Sequence, residues 1–143
     1  MSEAAAKPIP EVTPEMAPFW AAAKERRLVV QRCAACGHLR FPARAVCSAC
    51  WSREAEWAPV CGRGEVFSVV VMHQAADPAF AALAPYAVAV VALEEGVHLL
   101  SGIVDCGAHD VSIGMAVEVA FEPRGPELLL PVFRPVRPSG AAR

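Results

Sequence analysis

Four cysteines carry the chemistry that is easiest to read in this chain. Cys33-Ala-Ala-Cys36-Gly37 and Cys47-Ser-Ala-Cys50 are two Cys-x-x-Cys units separated by ten residues. Each such turn can place two thiolates on one ion, and two turns together close a tetrahedral shell with Zn–S bonds of about 2.3 Å. The reading is one structural Zn2+ site formed by Cys33, Cys36, Cys47 and Cys50. Iron in a rubredoxin-like setting is the chemical alternative. Four thiolates leave no open position for water, so the site holds structure and does not hydrolyse substrate. Gly37 permits the positive φ that such a turn needs. A thioredoxin-like redox pair does not suit two paired units without a βαβ context.

The remaining candidates are weaker. Cys61 and Cys106 stand alone, where a nucleophile would want a neighbouring base and a positive environment. Both are expected as small buried hydrophobes of the core. His38, His73, His98 and His109 are scattered without metal or triad spacing, and are expected at the surface. No glycine-rich phosphate loop, Gly-x-Ser-x-Gly elbow or carboxylate pair occurs, so no catalytic residue is assigned.

The elements around the cysteines follow from pattern. A short helix is expected from about Pro18 to Arg27, with Phe19, Trp20 and Ala23 on one face. Proline is tolerated in its first turn, and the bases Lys24 to Arg27 suit its C-terminal end. Leu28 to Arg32 alternates as a strand that delivers Cys33, and Trp51 to Val60 returns the chain after the ribbon. Gly62-Arg63-Gly64 then marks a boundary. Beyond it, strands are expected over 65–73, 86–93, 97–104, 115–121 and 128–133, with a helical turn around Ala79 to Leu83. Five strands in this length close most economically as a Greek-key barrel of the oligonucleotide/oligosaccharide-binding (OB) type. The fold expected is therefore mainly β. It comprises a lead-in and helix over 1–27, a zinc ribbon over 28–60, an OB-fold barrel over 61–135 and a frayed tail over 136–143. The strand 86–93 has apolar residues on both faces, so one face would fill the core while the other meets the helix or a partner protein.

The chain has 143 residues, 55% of them apolar, which suffices for a core. Its net charge of −2 conceals an asymmetry. From Lys24 to Arg63 eight bases face three acids, whereas from Gly64 to Pro123 there are eight acids and no Lys or Arg. An anionic ligand would meet the front half, and Arg40, Arg44 and Arg63 are the candidates for phosphate, since arginine binds it bidentately. A nucleic-acid-binding ribbon and barrel is the rival reading, but such a groove requires cations along it, and none lies between Gly64 and Pro123. No apolar run is long enough to span a bilayer. Met1 to Val12 lacks the apolar stretch of a signal peptide, and a cytoplasmic location is expected.

Phe19-Trp20, Leu28-Val29-Val30-Gln31-Arg32-Cys33, Arg40-Phe41-Pro42-Ala43-Arg44, Gly62-Arg63-Gly64-Glu65-Val66 and Pro85-Tyr86, spaced around the four cysteines, resemble the zinc-ribbon OB-fold proteins associated with acyl-CoA enzymes. That family was formerly a domain of unknown function and is often found beside thiolases. The resemblance covers roughly residues 14 to 135. It implies a non-catalytic accessory subunit in lipid metabolism, partnered with a thiolase-superfamily enzyme or aldolase, or with a hydratase of the hot-dog fold. It also implies CoA or acyl-CoA as a shared ligand. Two positions depart from the pattern: Ala43 stands where a second proline is usual, and Cys61 where a small polar residue is expected. An enzyme in its own right, a CoA-ester hydrolase using Cys106 or a histidine, is the remaining alternative.

Overall fold

The computed structural model describes residues 6–136; expectations for residues 1–5 and 137–143 lie outside the described residues. Helix α1 spans Ala17–Lys24. It stops earlier than expected because Arg26 takes a left-handed backbone, φ 61°, with the Glu25 and Arg26 N–H groups turned back onto Ala22 and Ala23 carbonyls. Phe19, Ala22 and Ala23 are its buried face.

Three antiparallel strands follow: β1 (Val29–Cys33), β2 (Leu39–Arg40) and β3 (Ala55–Pro59), in the order β2-β1-β3. Strand β3 is the part of 51–60 that returns the chain after the ribbon. It pairs along all of β1, from Val29 opposite Pro59 to Cys33 opposite Ala55. The Arg32–Glu56 ion pair, 3.2 Å, crosses the same register.

The second sheet contains β4 (Arg63–Met72), β5 (Tyr86–Leu93), β6 (His98–Gly102), β7 (Ala116–Arg124) and β8 (Leu128–Pro135), in the order β6-β5-β4-β7-β8. A parallel bridge from Ile103 to Phe133 brings the two outer strands together, so five strands form a nearly closed barrel of OB topology. Strand β4 serves both halves. A bulge between Val66 and Ser68 bends it, and β7 pairs with it only over Arg63 to Glu65, while β5 follows it to Met72. Two short helical segments, α2 (Pro78–Ala81) and a 3-10 turn at Ala108–Asp110, occupy the connections; Asp77 caps α2 through the Ala79 N–H at 2.8 Å.

The alternation of β5 decides its faces. Ala87, Ala89, Val91 and Leu93 are buried, and Tyr86, Val88, Val90 and Ala92 point outward. Helix α1 does not cover the outward set, because it packs against β8 and β1. The core does not stop at the ribbon: Phe19, Leu28 and Val30 form one contiguous cluster with Val66, Val91, Val117 and Phe133 of the barrel. No helix among the described residues is long and apolar enough to cross a membrane.

Candidate metal centre and the surrounding surface

The two Cys-x-x-Cys turns are built alike. In the first, the Cys33 N–H donates to the His38 carbonyl and the Gly37 N–H donates to the Cys33 carbonyl, both at 2.9 Å. In the second, the Cys47 N–H donates to Ser52 and the Trp51 N–H donates to Cys47, again both at 2.9 Å. The residue after the second cysteine must then turn left-handed: Gly37 at φ 81°, Trp51 at φ 69°. Space does not demand glycine at 37, since a Cβ there would meet nothing; the torsion does. That Trp51 takes the same torsion, four-fifths exposed, was hidden in the sequence by its side chain. Its position after Cys50 was the available signal.

These turns bring the four thiols together, with their sulfurs all within 4.8 Å of one another. Cys33 and Cys50 are 3.5 Å apart and Cys36 and Cys47 are 3.7 Å apart. A tetrahedron with 2.3 Å Zn–S bonds requires sulfur spacings of about 3.8 Å, so the donor set and its size fit zinc. Cys33 and Cys47 are buried, while Cys36 and Cys50 close the site from the solvent side. Backbone N–H groups aim at sulfur: Cys36 onto Cys33 at 3.5 Å and Ala49 onto Cys47 at 3.3 Å. The Cys36 N–H is the main reason the Cys33 thiol is lowered to about 6. The Ser52 N–H favours the Cys50 thiolate too, yet proton sharing with Cys33 and Cys36 wins and Cys50 is raised to about 12. Crowding of the sulfurs thus opposes the Cys50 thiolate. Zinc, when bound, supplies the compensating charge and holds the two turns together.

The three arginines proposed for phosphate fall in different surroundings. Arg40 is buried, 5% exposed, in the ribbon. It donates to the Gln31 side chain and, at 3.0 Å, to the Arg44 carbonyl, and its Nη1 has no partner. Its role there is to hold the segment 41–44, and Gln31 also accepts from the Arg44 N–H at 2.9 Å. Arg63 is exposed but pairs with Glu94 at 3.4 Å. Arg44 is exposed and among the described residues pairs with no carboxylate. The four histidines are exposed.

Cys61 corrects an expectation. It is exposed at the barrel's acidic turn, where its thiol lies 3.5 Å from Glu94 and its N–H donates to Glu95 at 2.8 Å. A sequence with Gly62 and a turn at Glu94-Glu95 gave no sign that the two loops meet. Desolvation and the Glu95 and Glu94 carboxylates raise the Cys61 thiol; desolvation and Asp110 raise that of Cys106. Neither environment activates a nucleophile.

The model of the ChsH2 rubredoxin-like zinc ribbon domain matches residues 20–56, and that of the ChsH2 C-terminal OB-fold domain matches residues 57–122. A scaffold protein of Methanocaldococcus jannaschii containing a DUF35 domain is 41% identical over 104 residues, covering 71% of this chain and 73% of its own length. The chain belongs to the ChsH2/DUF35 zinc-ribbon and OB-fold family. A chain of the Ltp2-ChsH2(DUF35) aldolase matches its structure with a TM-score of 0.80 at 42% identity, over 89% of this chain and 98% of the other. A probable enoyl-CoA hydratase alpha subunit of Thermomonospora curvata is 42% identical over 134 residues, which is 94% of this chain; this chain spans only 41% of that protein's length. The zinc ribbon and the OB-fold barrel are thus shared with the family, and among these relatives the hydratase subunit carries a CoA ester in its name.

Proposed function

We propose that this DUF35 chain is a non-catalytic accessory subunit that docks on an acyl-CoA-processing enzyme: a thiolase-superfamily enzyme or aldolase, or a hot-dog-fold hydratase. The observation that carries the reading is the outer face of β4, β5 and β6. Phe67, Val70, Met72 and Leu100 are exposed there, at 57, 56, 36 and 70%. Val88 and Val90 lie between them by register. From Val66 to Leu93 the strands bring no Lys or Arg, and beyond Glu65 no strand covers the second edge of β4 among the described residues. Soluble proteins guard such edges with lysine, proline or short length. An unguarded apolar edge fits a surface buried in a complex. The names of its relatives supply the partner class.

Nucleic acid suits this face poorly, because the chain carries eight acids and no Lys or Arg from Gly64 to Pro123. CoA, as a ligand shared with the partner, would meet the ribbon at Arg44; Arg40 supports that loop from within.

Co-expression with an Ltp2-type aldolase subunit or a hydratase subunit tests the reading. The wild-type chain should co-elute with one of them on size exclusion. Val70→Lys and Leu100→Glu, both at exposed positions, should abolish co-elution while leaving zinc content and melting temperature unchanged. Failure to associate with either enzyme class, or a complex indifferent to both substitutions, refutes it.

A further inference from the structure

Two histidines that stand far apart in the chain meet at one end of the barrel. The His73 and His109 rings lie with their centroids 5.3 Å apart and their planes tilted by 36°. Both residues are exposed. His73 follows Met72, the last residue of β4, which pairs with Tyr86 of β5. His109 is the middle residue of the Ala108–Asp110 turn.

The fold holds both backbones in place. The turn is closed by the Asp110 N–H, which donates to the Gly107 carbonyl at 2.9 Å. On one side of His109, Val111 belongs to the buried core cluster; on the other, Cys106 and Ala108 pack against it. The barrel therefore fixes where each imidazole starts, and only side-chain rotation remains to be set by a ligand.

The spacing of the rings is that of two ligands on one ion. Zn–N bonds of about 2.0–2.1 Å put each ring centre about 3.2 Å from the metal, so two imidazoles at a tetrahedral angle have centroids about 5.2 Å apart. No carboxylate pairs with either ring among the described residues, so neither is tied up as the cation of an ion pair. Asp110 folds back over its own turn instead: a Cβ at Gly107 would lie 2.6 Å from its Oδ2. Among the described residues only the ribbon cysteines bring three or more ligand atoms together, so the histidines form a two-point chelate with water completing the shell. Imidazole nitrogen selects zinc, nickel and copper, whereas Mg2+ and Ca2+ take oxygen.

We propose that His73 and His109 chelate one divalent ion of this imidazole-preferring class at an open site separate from the ribbon. The four ribbon thiolates enclose their ion, whereas two imidazoles leave positions for water or for a donor brought by another molecule. The inference does not need the docking reading, since it uses none of Phe67, Val70 or Leu100.

Isothermal titration of the zinc-loaded full chain with Ni2+ tests it, in a Cys61→Ser background that removes the exposed thiol beside Glu94. One equivalent of Ni2+ should bind in addition to the ribbon zinc. His73→Gln and His109→Gln should each weaken it at least tenfold, because a chelate becomes a single-point contact. His38→Gln and His98→Gln should leave it unchanged. All four positions are exposed, so each variant should melt like its parent. In NMR spectra, substoichiometric Ni2+ should broaden the imidazole signals of His73 and His109 before those of His38 and His98. Absence of saturable Ni2+ binding up to millimolar concentration overturns the proposal. So does an affinity that survives either His73→Gln or His109→Gln, or equal broadening of all four imidazoles, which would leave the ring pair as an aromatic contact alone. None of these outcomes bears on co-elution with an enzyme, which Val70→Lys reads separately.

Discussion

Replacing Cys36 by serine removes one of four sulfurs from a site whose closest pairs are 3.5 and 3.7 Å apart. Structural zinc contributes roughly 10–16 kcal/mol of apparent binding free energy in small ribbon and finger peptides at pH 7. An equal share for each ligand is about 3 kcal/mol, so zinc affinity should fall by more than about 100-fold. The loss should not stay in the ribbon. Leu28 and Val30, which flank the first knuckle on β1, sit in the same core cluster as Val66, Val91 and Phe133, so the ribbon and barrel should unfold as one transition at a lower temperature. Cys47→Ser should behave the same way, although Cys47 is buried and Cys36 exposed. Proton competition gives a second signature. Cys33, lowered to about 6, loses its proton more readily than an ordinary thiol, whereas Cys50, raised to about 12, must release its proton to solvent as the metal binds. Zinc affinity is therefore greatest at high pH and is lost as pH falls, most steeply below 6, where Cys33 too must be deprotonated. Competition with a chromophoric chelator between pH 5.5 and 8, with metal content by mass spectrometry and melting by circular dichroism, measures all three effects. A Cys36→Ser protein that keeps one equivalent of zinc, melts like the wild type and shows a flat pH dependence would refute the ligand assignment.

Other substitutions probe separate parts of the fold. Gly64→Ala should destabilise the barrel by about 1–3 kcal/mol, measured by urea unfolding, because its Cβ would lie 2.3 Å from the Ala92 carbonyl oxygen, a backbone atom that cannot swing aside. Trp51→Gly relieves a left-handed torsion worth about 1–2 kcal/mol at an entropic cost of about 0.5–1, so the ribbon should gain up to about 1.5 kcal/mol with zinc affinity unchanged. Cys61 and Cys106, both raised above the ordinary thiol range, should alkylate slowly with iodoacetamide at pH 7 and faster as pH rises past 9; rapid labelling of either at pH 7 would revive a catalytic reading.

Local chemistry was the part of this protein open to direct reading. Two Cys-x-x-Cys turns ten residues apart define a metal site whatever the surrounding fold, because each turn is closed by bonds within six residues. The alternation of Tyr86 to Leu93 likewise exposed its two faces. The helix was placed, but its end was set by Arg26 turning left-handed, for which the sequence carries no glycine. Arg40 looked like a surface cation beside Arg44, and nothing in its neighbours revealed that Gln31, on the strand paired with it, would draw it inside.

What the linear chain determined alone was the ribbon's donor set, the β class and the separation of charge, since these depend on residue type and near spacing. What only the tertiary structure decided was which exposed residues become neighbours. The pairing of β4 with β7 over three residues leaves the Val70 edge open, and the Ala108–Asp110 turn, packed on the core, lays His109 beside His73 at the end of β4. Both depend on contacts between segments tens of residues apart, whose placement is set by the whole barrel closing on its core.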